Sequence, residues 1–305
     1  MDPDEQRTKD AHSAERRVTV PVAAVIVHHR RPDLLGAALD ALYAQSVRPR
    51  DVVVVDNGDG TAAPIVSEFG ARLLQLDSNS GYAAAVNAGL ATVDPDLHPL
   101  VMTHDCVLRA DALERMVERL LSDSSIGVVG PLLGRLDERG HVWSAGGGFG
   151  RIRRLPFHRD AGLPLQELEG PDAVEVEWLD GACLLIRRSA FDSAGPFDES
   201  WFLYVEEVEW LQRARRKGWR VVCDHRAVAW QRPGMTPPYL EARNLLRWLI
   251  SRRHYFAASI FVGRQLRLAA AAGCAGRAWE LRARALGLAD GVGGRFNPHY
   301  VSVRS

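Results

Sequence analysis

The sequence predicts an α/β fold: a mainly parallel, doubly wound sheet flanked by helices. Two observations carry the prediction. Strand-length segments dominated by apolar residues recur at 22–27, 51–56 and 100–103, of the kind buried on both faces. Between and after them stand segments with apolar residues at helical spacing, and strands alternating with helices wind into a parallel sheet. Ligands of such a sheet sit beyond the carboxyl ends of its strands, where this chain places Asp56 and Asp105.

Each element has its own signal. After the first strand, Pro32 and Asp33 open a helix with Leu34, Leu35, Ala38, Leu39 and Leu42 at helical spacing. The second strand, 51–56, runs into the turn residues Asn57, Gly58, Asp59 and Gly60. A short third strand at 72–76 precedes the Gly/Ala/Asn segment 79–91, and 100–103 is the fourth, giving the outline β-α-β-β-α-β. Asp111 and Glu114 stand at capping-box spacing before an amphipathic helix with Leu113, Met116, Val117, Leu120 and Leu121 on its apolar face. From 134 to 177 the periodicity weakens among Gly146, Gly147, Gly148, Gly150 and three prolines, which reads as an inserted lobe. A strand at 181–186, a helix at 206–217 and a strand at 219–222 follow. The stretch from about 239 is helical and rich in arginine, and Arg264 and Arg267 interrupt its longest apolar part, so it does not span a bilayer.

Composition narrows the function. With 305 residues, 47% hydrophobic and 25% charged, the chain can bury a sizeable core. Its 38 basic and 38 acidic residues cancel, so no long-range field holds a phosphate polymer, which argues against a nucleic-acid partner. Cys106, Cys183, Cys223 and Cys274 stand far apart with no C-x-x-C pair, which argues against a zinc site or disulfide framework and suits a reducing cytoplasm. The polar run 1–18 reads as a disordered tail with no export signal. The first strand-to-helix turn, His28 to Asp33, lacks the glycines of a dinucleotide fingerprint or a P-loop.

Three stations then follow in order: Asp56-Asn57-Gly58, the segment from Asn79 through Gly81 and Asn87 to Gly89, and Thr103-His104-Asp105. With Trp178, Asp180, the run from Gly195 to Glu209 and Arg243-Asn244, they resemble the inverting family 2 glycosyltransferases of the GT-A fold, in particular a rhamnosyltransferase-like branch. The resemblance covers about 20–250. It implies a Rossmann-like GT-A domain at 19–238, with a donor half to about 130 and an acceptor half after it, then a C-terminal helical extension at 239–305.

It also implies roles. Asp56 receives the base or ribose of a nucleotide-diphosphate sugar, and Asn79, Gly81 and Asn87 line the donor cleft. Asp105 stands where the family holds a divalent cation, Mg²⁺ or Mn²⁺, against the donor diphosphate. His104 is a candidate nitrogen ligand, and Gln231 occupies the place of a family histidine that faces the metal. Glu207 matches the general base that inversion needs, with Glu206 the second candidate. Trp178 and Asp180 contact the donor sugar or the acceptor.

Several readings stay open. Gly146 to Gly150 with Arg151, Arg153 and Arg154 suits an acceptor loop, a diphosphate clamp or a solvated loop. Arg243, Arg247, Arg252, Arg253, Arg264 and Arg267 suit peripheral membrane contact near a lipid-linked acceptor, helix packing, or a homodimer contact. The acceptor itself is a glycan, a lipid-linked sugar or a small molecule. The expected location is the cytoplasm or the inner membrane face. Rival functions are a catalytically degenerate sugar-nucleotide-binding protein and a nucleotidyltransferase.

Overall fold

The computed structural model describes residues 19–138 and 140–301, so the expected tail at 1–18 lies outside the described residues. The first half runs β1 (Thr19–His28), α1 (Pro32–Tyr43), β2 (Arg48–Asp56), α2 (Ala63–Phe69), β3 (Arg72–Gln75), α3 (Tyr82–Leu90), β4 (His98–Thr103), β5 (Cys106–Leu108) and α4 (Ala112–Ser122). Then come β6 (Ile126–Arg135), β7 (Val142–Ser144), β8 (Gly147–Phe149), β9 (Pro156–His158), β10 (Ala173–Glu175), β11 (Cys183–Ile186), α5 (Arg188–Ala194), α6 (Glu206–Arg216) and β12 (Arg220–Gln231). Three helices follow: α7 (Pro238–Ser251), α8 (Tyr255–Cys274) and α9 (Ala278–Gly293).

One 10-stranded sheet has the order β10-β12-β6-β11-β4-β1-β2-β3, with β5 added to β12 and β7 to β6. Strands β3, β2, β1 and β4 are mutually parallel, as are β6 and β12, and β11 sits antiparallel between β4 and β6. A separate ribbon pairs β8 with β9. Alternation along β1 builds two cores. Val22, Ala24 and Ile26 pack with Leu35, Leu39 and Met116 on one face; Val25 and Val27 pack with Val86, Trp178 and Trp248 on the other.

Three details depart from the sequence reading. Helix α2 was not expected, because it is short and buries only Val66. Strand β6 was missed because Gly127, Gly130 and Pro131 interrupt its apolar run. Pro131 is tolerated where it pairs with Asp224, at a register shift in β12 that relieves the missing N–H. The capping box does not form: Asp111 makes no cap to α4 and instead pairs with Arg109 at 2.6 Å, while Glu114 accepts from Ser46 at 2.7 Å.

The last three helices belong to the same packing unit. Leu246, Trp248 and Leu249 of α7 and Phe261 of α8 join the core layer that contains Val25 and Trp178. Among the described residues, no helix is long and apolar enough to cross a membrane.

Candidate active site

Two chambers open at the carboxyl ends of β1, β4 and β12. The first, about 290 Å³, is walled by His29, Asn57, Asn79, Thr103, Asp105 and Phe202 among others. The second, about 270 Å³, is walled by Trp143, His158, Trp178, Asp180, Glu207 and Glu241 among others. Tyr204, Gln231 and Gly234 line both, so the chambers share a partition.

Asp105 hangs in the turn between β4 and β5, and the β5–β12 pairing sets Gln231 opposite Cys106 beside it. The Thr103 hydroxyl and the Gln231 Oε1 atom are buried without a hydrogen-bond partner. A carboxylate with two unsatisfied neutral oxygens is a donor set suited to a hard divalent cation. His104 also lines this chamber. Its Nδ1 lies 3.2 Å from the Val27 carbonyl, an arrangement that leaves the lone pair on Nε2, and burial holds its pKa below the usual value.

A second group, His28, Asp56 and Asp59, also brings possible ligand atoms close together. Its atoms are engaged in holding a loop. The Asp56 carboxylate accepts from the backbone N–H groups of Asp59, Gly60 and Ala62 at 3.0–3.1 Å, and His28 Nε2 meets the Thr61 hydroxyl at 2.8 Å. Burial opposes ionisation of Asp56, but the three amides outweigh it and hold its pKa below the ordinary value.

Glu207, in the first turn of α6, lines the second chamber. Burial, and then the negative charge of Asp180, push its pKa up to about 8, and its Oε2 has no hydrogen-bond partner. Asp180 is fixed by the Ala182 N–H at 2.9 Å and Trp143 Nε1 at 3.2 Å. His158 lies between Trp143 and Trp178, with ring centroids 4.6 and 5.0 Å away, and completes an aromatic box. Aromatic faces of this kind suit the C–H surfaces of a sugar.

The approach to α6 is strained. Phe202, Tyr204 and Val205 have φ of 68°, 67° and 75°, values costly for residues with a side chain and frequent where a site must be held in one shape. Asn244 on α7 holds the loop: its Nδ2 donates to the carbonyls of Trp201, Leu203 and Tyr204 at 3.2, 2.8 and 2.9 Å. Arg243, which can only donate, bonds Asn244 Oδ1 at 2.6 Å and so fixes which way that amide faces. From the other side, the Tyr82 N–H bonds the Phe202 carbonyl at 2.6 Å. Gly81, at φ +89°, is required there, since a Cβ would lie 2.5 Å from the Phe202 oxygen.

The family model for glycosyl transferase family 2 matches residues 23–194. The chain belongs to glycosyl transferase family 2. It is 31% identical over 204 residues to an N-acetylglucosaminyl-diphospho-decaprenol L-rhamnosyltransferase of Mycobacterium tuberculosis, a match covering 59% of this chain and 66% of the relative. It is 30% identical over 221 residues to the galactofuranosyltransferase GlfT1 of the same species, covering 66% of each. Among solved structures, a mannosyltransferase from Pyrobaculum calidifontis in complex with GDP-Man and Mn²⁺ superposes with a TM-score of 0.54 at 14% identity, over 96% of this chain and 83% of that one. The fold is GT-A.

In this family 2 chain the predicted residues fall into three sets. Asn79, Gly81, His104, Asp105 and Gln231 meet in the first chamber. Trp178, Asp180 and Glu207 meet in the second, with Gln231 again in the wall. Asp56, Asn87 and Glu206 line neither. Asp56 is spent on its loop, and Asn87 bonds the Phe197 N–H and carbonyl and the Glu199 carboxylate, tying α3 to the segment before α6. Sequence reasoning passed over His29, Trp143 and His158, which line the chambers, and the stapling role of Asn244. The Arg243-Asn244 pair was the available signal for the last.

Glu206 is 3% exposed, lies behind Glu207, and has an unpartnered Oε2. Burial and then the charge of Glu207 raise its pKa well above the ordinary value. A carboxyl that keeps its proton when folded but releases it when unfolded weakens the fold as pH rises above the ordinary glutamate range, until the folded state also ionises. Glu206→Gln is therefore expected to raise the melting temperature by a few degrees at pH 8, to leave it unchanged at pH 4, and to retain activity within a fewfold. Equal melting shifts at both pH values would show that this ionisation carries no stability.

Proposed function

We propose that the protein is an inverting glycosyltransferase. A nucleoside-diphosphate sugar binds in the first chamber, and an acceptor hydroxyl enters the second. What carries the reading is the partition: a lone carboxylate with orphaned oxygens on one side, and a glutamate of raised pKa on the other.

Asp105, with Thr103 Oγ1 and Gln231 Oε1, and His104 at the same wall, would hold a divalent cation. When bound, such an ion neutralises charge building on the diphosphate. The acceptor oxygen attacks the anomeric carbon from the face opposite the diphosphate as Glu207 takes its proton. The bond from the anomeric carbon to the diphosphate oxygen breaks, and its electron pair leaves with the nucleoside diphosphate. Trp178 and Asp180 position the acceptor, one by an apolar face and the other by accepting from a hydroxyl. Asn57, Asn79 and His29 offer polar groups to the donor at the far wall.

The relatives' names support a lipid-linked acceptor, since the mycobacterial rhamnosyltransferase acts on a diphospho-decaprenol sugar. The two relatives transfer different sugars, so a panel of UDP-, GDP- and dTDP-sugars with Mn²⁺ or Mg²⁺ tests the reading. One donor is expected to release its nucleoside diphosphate in the presence of acceptor, with product of inverted anomeric configuration. Asp105→Asn is expected to lower that rate by roughly 10²-fold and to weaken its dependence on metal. Retained configuration, or donor binding without turnover across acceptors, would overturn the proposal.

A further inference from the structure

The chain's zero net charge conceals a strongly segregated surface. From 145 to 158 it carries Arg151, Arg153 and Arg154 and no acidic residue; from 242 to 277 it carries seven arginines and no acidic residue. The fold brings these two segments together. Arg153 and Leu155, in the turn between β8 and β9, line a small cavity with Ile260, Phe261, Arg264 and Arg267 of α8. Phe149 stacks on Trp248 at 5.4 Å beneath it.

The outer side of this junction is apolar as well as basic. Ile152 is 68% exposed, Tyr255 63% and Phe256 73%, in contrast to Ala257, Ala258 and Phe261, which the same helix buries. Isolated exposed apolar residues need no explanation, but three flanking the junction of these two segments mark a contact surface. Arg264 pairs with Glu241 at 3.4 Å. Arg151, Arg153, Arg154, Arg253 and Arg267 pair with no carboxylate among the described residues, so their charge is available to an outside partner.

We infer that the β8–β9 turn and the first turns of α8 form a docking surface for an anionic phospholipid bilayer. The side chains of Ile152, Tyr255 and Phe256 enter the interfacial region while the arginines meet lipid phosphates. A bilayer matches both features at once, because apolar insertion and phosphate attraction act at the same depth and reinforce each other. The surface is also continuous with the second chamber. Strand β9 runs from the basic turn to Pro156 and His158 in the chamber wall, and Glu241, the partner of Arg264, lines the same wall. The inference deepens the proposed function, on which its purpose rests: an acceptor whose lipid stays in the bilayer would present its head to Glu207.

Sedimentation with vesicles tests the surface without donor or acceptor, so an absence of transferase activity leaves its result standing. The full chain is expected to sediment with phosphatidylcholine vesicles containing phosphatidylglycerol, to do so less as salt is raised, and to remain in solution with phosphatidylcholine alone. Tyr255→Ser with Phe256→Ser, and separately Arg153→Glu with Arg154→Glu, should each weaken binding at least about tenfold. Both variants should keep the melting temperature and the transfer rate to a water-soluble acceptor, since these residues line neither chamber. Failure of the wild-type chain to bind anionic vesicles at low salt, or binding by both variants equal to wild type, would overturn the inference. A dimer that these substitutions dissociate without changing vesicle binding would also overturn it, and would assign the face to a second copy of this chain.

Discussion

Replacing Glu207 by glutamine is expected to lower kcat by roughly 10²–10⁴-fold, the range set by loss of a general base. Donor affinity should stay within about twofold, because the residue lies in the second chamber and meets a group that changes charge only as the acceptor reacts. The wild-type pH profile supplies the independent signature. Burial and Asp180 push the Glu207 pKa up to about 8, so below that pH the carboxyl holds its proton and cannot accept another. kcat/KM should therefore climb with pH, reach half its plateau near about pH 8 and level off above it, and this limb should be absent from the residual activity of Glu207→Gln. Asp180→Asn removes the second cause of the raised pKa, so the limb should move to lower pH. A profile flat from pH 6 to 9, or a Glu207→Gln variant with wild-type turnover, would remove the residue from the base role.

Asn244→Ala should have the second-largest effect, although the residue touches neither chamber. It leaves the carbonyls of Trp201, Leu203 and Tyr204 without the amide that holds them, each loss costing about 1–3 kcal/mol if water cannot replace it. The positive φ angles of Phe202, Tyr204 and Val205 then lose part of what sustains them, and the start of α6 shifts with the loop. A displacement of about 1 Å at a catalytic group can cost roughly 10²-fold in rate. The expected result, measured well below the melting temperature, is a 10–100-fold fall in kcat with little change in donor KM, in roughly the proportion such a displacement implies. As water reaches Glu207, the rising pH limb should also move down. If only the melting temperature falls, and the folded fraction turns over as wild type, Asn244 is a structural residue alone.

Much of this was legible in the sequence, for identifiable reasons. β1, β2 and β4 are read from apolar runs because strands buried on both faces leave little room for other residues. Asp105 and Glu207, singled out by the order of motifs along the chain, each line one of the two chambers. Asp56 and Asn87 line neither chamber, for a shared reason. A carboxylate or amide at an element's end serves a ligand and a backbone N–H equally well, and only the path of the next few residues decides between them. At Asp56 that path is the loop into α2, whose seven residues give too little periodicity to be seen. The staple at Asn244 is hidden more deeply: its partners are carbonyls, which every residue possesses, so no pattern of side chains marks them.

The close approach of Gly81 to Phe202 also bears on how members of this family can be recombined. The glycine lies in the first half of the chain and its steric partner in the second, joined by a hydrogen bond from the adjacent Tyr82 N–H. A chimera with its crossover between these positions inherits the two sides of the contact from different parents. It can assemble a competent loop ahead of Glu207 only where those parents place that backbone at the same height. Crossovers before Gly81 or after Phe202 keep the contact in one parent, so pieces of this fold are exchanged most safely when the two motifs travel together.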